Sequence, residues 1–221
     1  MEKLLFWMVL IVGTVALIGS CAKKDEESAA TAAADNTTST TSTTKYMSTT
    51  TTASGSITMG DDTLSGVYAT SCLTGSLITI FVNANVWPSE VKAYGNVFVV
   101  TGSDNISIEL YAFTDTSCST SSMSYKTVSD NVTVGSASGS NYPVTYNRQT
   151  QAITVHTTAA ETTTETLYSN TLDWTVGTPR EISMLGVLNY GLWTLSGTTW
   201  YEASSSSATP TSAGTVPYVK Q

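Results

Sequence analysis

Few side chains in this chain could act as catalysts, and none of them occurs in a catalytic pattern. His156 is the only histidine, and no acid or cysteine accompanies it in Thr154-Val155-His156-Thr157, so a hydrogen-bonded strand residue is favoured over a base or a metal ligand. Gly135-Ser136-Ala137-Ser138-Gly139 has the glycines of a nucleophile elbow, but alanine occupies the position of the nucleophile. The sequence therefore predicts no enzyme, no catalytic residue and no cofactor.

The charged residues exclude two further classes of function. The formal net charge is −8, and only 12% of the residues are charged. A phosphate backbone needs a basic stripe, and the cations after residue 58 are too few and too scattered to form one. They are Lys92, Lys126, Arg148, Arg180 and Lys220. Asp61-Asp62 lacks the spaced oxygen ligands of a calcium loop, so we expect neither nucleic acid nor a metal as a ligand.

Cys21 is the residue with the clearest chemical context. It follows Leu17-Ile18-Gly19-Ser20, which ends an apolar run over residues 4–18. That run of about 15 residues is shorter than the roughly 20 that span a bilayer, so a cleaved signal peptide at residues 1–20 is favoured over a permanent helix. The pattern resembles the lipobox of bacterial lipoproteins. The resemblance implies that Cys21 accepts lipid and attaches the protein to a membrane.

The residues after Cys21 bear on location. Ala22 rather than aspartate after the cysteine resembles lipoproteins that reach the outer membrane. The cluster Lys23-Lys24-Asp25-Glu26-Glu27 is similar to the lysine-plus-acid tag of surface-exposed Gram-negative lipoproteins, and it is equally typical of a solvated charge run. The expected location is therefore the outer membrane, lipid-anchored, with the protein facing either the periplasm or the cell surface.

Cys72 and Cys118 remain once Cys21 is assigned to lipidation. In an oxidising compartment two such cysteines favour a disulfide over two separate buried thiols, and their spacing suits neither a redox motif nor a zinc site. Closing a loop of about 46 residues would contribute on the order of 4 kcal/mol to stability.

Composition divides the rest of the chain. Residues 21–58 are mostly Ser, Thr and Ala, which offer little to bury, and they are predicted to form a disordered tether after the lipidated cysteine. Residues 59–203 carry β-prone runs and form the predicted domain. Residues 204–221 contain a serine run and prolines and are expected to form an extended tail.

The β-prone runs predict an all-β domain. Ile106, Ile108, Leu110 and Ala112 alternate with more polar residues, as in a half-buried antiparallel strand. Further strands are predicted at 77–82, 91–101, 122–128 and 152–157, and Ser196-Gly197 marks a hairpin turn. Short strands at regular spacing favour a closed antiparallel β-barrel or, as the alternative, a β-sandwich.

Several short motifs, in their order along the chain, carry a family resemblance. They are Gly66-Val67-Tyr68, Phe113-Thr114-Asp115-Thr116-Ser117-Cys118, Asp173-Trp174, Gly177-Thr178-Pro179 and Pro217-Tyr218-Val219-Lys220-Gln221. Together they resemble a group of uncharacterised Gram-negative lipoproteins that look lipocalin-like. The resemblance implies a small antiparallel up-and-down β-barrel of about eight to ten strands and no particular activity. Tyr68 stands where lipocalins have a tryptophan that packs against an arginine, a part for which Arg148 and Arg180 are the candidates.

Tryptophans are the remaining informative feature. Trp87, Trp174, Trp193 and Trp200 occur in a domain that is short of charge. They are typical either of core packing and barrel closure or of an aromatic pocket. Two functions follow: a lipoprotein that binds a small apolar or amphiphilic ligand in its barrel through these tryptophans, or a surface-exposed structural or adhesive lipoprotein with a solid core. The size of the barrel interior distinguishes them.

Overall fold

The computed structural model describes residues 45–221. Cys21, the predicted signal peptide 1–20 and the first part of the predicted tether lie outside the described residues. Strands and helices follow in this order: β1 Ile57–Met59, β2 Asp62–Leu64, β3 Val67–Ala69, α1 Ser76–Asn83, β4 Ala93–Val100, β5 Ile106–Phe113, β6 Ser121–Val134, β7 Asn141–Val155, α2 Thr158–Leu167, β8 Arg180–Ser196, β9 Thr199–Ser205 and β10 Pro217–Lys220. Within 45–221, neither helix has the length and apolar character that crossing a membrane requires.

Eight of the strands form a closed antiparallel barrel. Its order is β10-β3-β4-β5-β6-β7-β8-β9, so each strand from β3 to β9 lies beside the next one in the chain. The last strand closes the barrel because β10 pairs with both β9 and β3. The predicted all-β up-and-down barrel is therefore confirmed, and the alternative β-sandwich is wrong.

The clearest sequence patterns match the observed strands. Ile108 and Leu110 of β5 face the interior, as the alternation predicted, and Ala112 is fully buried. The turn between β8 and β9 contains Gly197, whose φ of 60° lies in the left-handed region that glycine tolerates best. The predicted hairpin is therefore confirmed, with its strands paired from Ser196 and Thr199 outward.

The run 77–82, predicted as a strand, is helix α1. Leu77 and Phe81 are its buried residues, and this spacing of four places both side chains on one face of a helix. An apolar run this short has no periodicity that distinguishes a strand from a helix. The prediction was wrong because the packing of this face against the barrel decides the conformation.

Residues 46–54, here called the N-terminal strap, lie on the outer face of the barrel. Met47 donates its backbone N–H to the carbonyl of Thr70 at 3.0 Å and is only 6% exposed. It packs over Gly95 of β4, where a Cβ would lie 2.4 Å from the Met47 Cγ. Because Gly95 has no side chain, Met47 of the strap can pack directly on β4. The described part of the predicted tether, 45–58, is packed against the barrel, which corrects both its predicted disorder and the domain start at residue 59.

Glu109 joins the strap to the outer face of β5. Its carboxylate accepts hydrogen bonds from the hydroxyls of Thr49, at 2.9 Å, and of Thr51. Tyr111 donates to the other carboxylate oxygen at 2.5 Å. Glu109 is 2% exposed, so the face of β5 that the sequence pattern assigned to solvent is covered by the strap.

Cys72 and Cys118 form the predicted disulfide, with their Cα atoms 5.8 Å apart. Cys72 follows β3, and Cys118 lies in the turn between β5 and β6. The bond therefore fixes the segment that leads into α1 to a neighbouring part of the barrel, and the alternative of two free thiols is wrong.

The C-terminal segment 204–221 is part of the barrel rather than an extended tail. Tyr218 pairs with Trp200 of β9, and Lys220 pairs with Tyr68 of β3. The serine run and the prolines do not form a strand pattern, so the sequence did not predict β10. Pro217 is the first residue of β10, a position where proline is tolerated in a sheet.

Two clusters of buried side chains fill the two ends of the barrel. One lies beneath the β1–β2 hairpin and contains Phe98, Trp193 and Trp200. The other lies against α1 and α2 and contains Trp87 and Trp174. Helix α2 begins with a cap in which the Thr157 hydroxyl accepts a hydrogen bond from the Ala160 N–H at 3.1 Å.

Candidate ligand-binding site

A cavity of about 340 Å³ occupies the interior of the barrel between the two clusters. This volume lies within the range of about 300–1,000 Å³ that small-molecule sites occupy. Segments 74–77 and 213–216 form its outer wall, and Thr74, Ser76 and Thr215 are exposed there, so the cavity reaches the surface between these segments.

Segment 213–216 lies directly against β9. A Cβ at Gly214 would fall 1.8 Å from the Glu202 carbonyl oxygen, so only glycine allows this approach. Because Ala213, Gly214, Thr215 and Val216 all line the cavity, the contact fixes one wall of its entrance. The connection before β10 is thus a structural part of the site.

The wall of the cavity is largely apolar and aromatic. Six apolar side chains contribute to it, from α1, β5 and the segment before β10: Leu77, Phe81, Ile108, Leu110, Ala213 and Val216. Four tyrosines complete it: Tyr94, Tyr125, Tyr146 and Tyr218. Each of these tyrosines is less than 10% exposed, and burial raises the pKa of all four hydroxyls, so they stay protonated at neutral pH. The wall suits an apolar molecule that carries a polar group.

One basic and one acidic side chain, Arg148 and Glu202, also line the cavity. Strand alternation on β7 directs Tyr146 and Arg148 into the lumen, and the same alternation on β9 directs Glu202 and Ser204 inward. The Tyr146 hydroxyl donates to Glu202 Oε1 at 3.5 Å. Burial raises the pKa of Glu202 to about 7, although the positive charge of Arg148 opposes the shift.

Arg148 is the more deeply buried member of this pair. It is 6% exposed, and its Nε has no hydrogen-bond partner among the residues that the structure describes. Burial lowers the pKa of Arg148, and the nearby Tyr146 and Glu202 oppose that effect. A buried guanidinium with an unused donor is a ready binding group for an acceptor on a ligand.

The four predicted tryptophans are not among the residues that line the cavity. Trp200 packs on Phe98 with ring centroids 4.1 Å apart and on Trp193 at 5.6 Å. At the other end, Trp87 packs on Phe81 at 4.6 Å and Trp174 on Tyr168 at 4.9 Å. The prediction that they bind a ligand is therefore wrong for this cavity, because these large rings fill the ends of the barrel.

The aromatic ring at Tyr68 does have a cation over it, although the cation is neither predicted arginine. Lys220 Nζ lies 5.8 Å from the centre of the Tyr68 ring. Arg148 lines the cavity instead, and Arg180 lies 5.4 Å from the centre of the Trp174 ring. Lys220 is placed there by the pairing of β10 with β3, which the sequence alone did not reveal.

His156 lies at the end of β7, away from the cavity lining. Its Nε2 is 3.4 Å from the Ser124 hydroxyl, and its backbone N–H donates to the carbonyl of Ser122 at 2.7 Å. Across residues 45–221, no three His, Cys, Asp or Glu side chains are grouped closely enough to hold a metal ion.

Sequence reasoning missed the two charged residues of the cavity. Arg148 was considered only as a partner for an aromatic ring, and Glu202 was not considered. A signal for both was present, because each charge lies two positions from an aromatic residue on the same strand, Tyr146 and Trp200. No protein-family model matches this chain, and no curated protein matches it closely enough to count as a relative.

Proposed function

We propose that this protein is a membrane-anchored binding protein that holds one small amphiphilic molecule inside its barrel. The observation that carries the proposal is the cavity of about 340 Å³, which has a largely apolar wall, a buried Arg148 and a half-buried Glu202. A solid core, on which the alternative of a structural or adhesive lipoprotein rests, would leave no such space. The anchor is lipid on Cys21, supported by the residues that precede it.

Ligand binding is tested by filling the cavity. Leu110 lines the cavity from β5, so Leu110→Trp should occupy the space and abolish binding of a polarity-sensitive fluorophore to the domain 45–221. Val128 is 37% exposed on the outside of β6, and Val128→Trp is the matched control that should bind normally. Both variants are first compared with the wild type by circular dichroism and thermal unfolding. Equal binding by all three proteins would reject the cavity as the site.

The anchor is tested independently of the ligand. The full chain, expressed in a Gram-negative host with labelled palmitate, should incorporate label that Cys21→Ala does not incorporate. The variant should also keep its signal peptide, since modification of the cysteine precedes cleavage in the pathway that the lipobox implies. Label that persists in Cys21→Ala would contradict membrane attachment through this residue.

A further inference from the structure

Arg148 lies within the barrel, and at least one of its hydrogen-bond donors has no acceptor among the described residues. Its guanidinium carries five N–H donors, and its Nε is fully buried without a partner in the described part of the chain. A buried donor that lacks a partner costs stability, and the cost is larger for a charged group. A ligand that supplies oxygen acceptors would satisfy these donors. The cavity places such a ligand next to Arg148.

Glu202 is the acidic residue whose charge acts on this guanidinium. The titratable groups around it are Arg148 and Tyr146 on β7, Tyr218 on β10 and, beyond Tyr218, Tyr94 on β4. The residue of β8 that pairs with Glu202 is Trp193, whose side chain does not titrate. One cation and one acid therefore share the lumen, and their formal charges cancel.

We propose that the ligand is an amphiphile with an anionic head group, which binds at Arg148 while the Glu202 carboxylate takes up one proton from solvent. The charges balance before and after binding. Above pH 7 the free site holds a guanidinium cation and a carboxylate anion, and the occupied site holds the guanidinium, the ligand anion and a neutral carboxylic acid. This inference rests on the proposed function and names the chemistry of its ligand.

The low polarity of the site couples the binding of an anion at Arg148 to the protonation of Glu202. Two anions beside one buried cation would leave a net charge in an environment that solvates it poorly. Neutralising Glu202 removes that charge, and burial has already raised the pKa of this carboxyl to about 7. A cationic amphiphile is disfavoured because it would pair with Glu202 and leave Arg148 beside a second positive charge.

Three probes with the same alkyl chain test the head group: decanoate, decan-1-ol and decylamine. Calorimetric titration of residues 45–221 at pH 6 should show that decanoate binds at least tenfold more tightly than decanol, since hydrogen bonds to charged groups contribute about 1.5–3 kcal/mol. Decylamine should bind most weakly.

The proposed protonation of Glu202 is tested by measuring decanoate binding at different pH values and in different buffers. If only the protonated form of Glu202 accepts decanoate, its affinity should fall about tenfold between pH 6 and pH 8, as the competent fraction falls. Titrations at pH 8 in buffers of different ionisation enthalpy should show uptake of nearly one proton with decanoate and none with decanol. Glu202→Gln should remove both the uptake and the pH dependence.

Arg148→Met should abolish the preference for decanoate over decanol, whereas Arg180→Met is a matched control that should preserve it, because Arg180 lies outside the cavity lining. The wild-type measurements decide the question if Arg148→Met does not fold. Equal binding of decanol and decanoate, tightest binding of decylamine, or decanoate binding at pH 8 without proton uptake would overturn this inference and leave the proposed function intact. Binding of none of the three probes would overturn both.

Discussion

Replacing Glu202 with glutamine should make the domain more stable at neutral and alkaline pH. Glutamine has nearly the shape of a protonated glutamate and never becomes an anion. Burial raises the pKa of Glu202 from 4.5 to about 7 in the folded protein, even with Arg148 nearby. At about 1.36 kcal/mol per pKa unit, the ionised carboxylate costs on the order of 3 kcal/mol of folding free energy.

The sign of the effect follows from which state holds the proton. Between pH 4.5 and about 7 the unfolded chain loses the Glu202 proton while the folded protein keeps it. Stability from this residue is therefore lost as pH rises through that window, and the loss is complete above it. Glu202→Gln does not undergo this loss. Its free energy of unfolding should therefore exceed that of the wild type by little near pH 4.5 and by about 3 kcal/mol at pH 8.

Urea unfolding at pH 4.5, 6 and 8 measures the difference, with the free energy of unfolding extrapolated to water for each protein. Glu181→Gln is the matched control, because Glu181 is exposed on β8 and its substitution should change stability by less than about 0.5 kcal/mol at each pH. A difference between Glu202→Gln and wild type that does not vary with pH would refute the reasoning. A variant less stable than wild type at pH 8 would do the same.

Three further outcomes are expected. Reduction of the Cys72–Cys118 bond, with its sequence separation of 46, should lower the free energy of unfolding by about 4 kcal/mol; equal unfolding midpoints with and without reductant would contradict this. Trp200→Ala should cost about 3–5 kcal/mol yet leave probe affinity nearly unchanged, because the ring packs in the core away from the cavity lining; loss of affinity in the folded variant would contradict this. Gly95→Leu should displace Met47, so limited proteolysis should cleave the strap while the barrel persists; a strap as resistant as in wild type would contradict this.

The barrel was predictable because its signals are local. Alternation along β5 and the turn residues at Ser196-Gly197 each depend on a few neighbouring residues. Helix α1 was not predictable, since its eight residues carry too little periodicity and its buried face is defined by distant strands. The strap was missed for a related reason. Its Ser and Thr residues look unable to order themselves, and their order comes from Glu109 and Gly95 on other strands.

The cavity was less predictable than the barrel because its lining depends on register. The pairing of β7 with β6 and β8 shifts just after Arg148, so the alternation that directs Tyr146 and Arg148 inward does not continue, and Gln151 lines the cavity at an odd spacing from Arg148. The tryptophans were chosen for their size, and that size is why they fill the barrel ends instead of leaving space. The smaller tyrosines line the cavity and leave room for a ligand.

The two ends of the cavity differ, and this difference constrains how the proposed ligand binds. Tyr146 and Tyr218 belong to the cluster beneath the β1–β2 hairpin, so the head-group site lies on the side of the cavity nearest that cluster. Leu77 and Phe81 of α1 belong to the opposite cluster and line the cavity beside segment 74–77, where it reaches the surface. An amphiphile held at Arg148 therefore directs its chain toward α1, while its head group lies near segment 213–216, where Gly214 packs against Glu202. Because the cavity reaches the surface beside segment 74–77, excess chain length can leave there without displacing the head group.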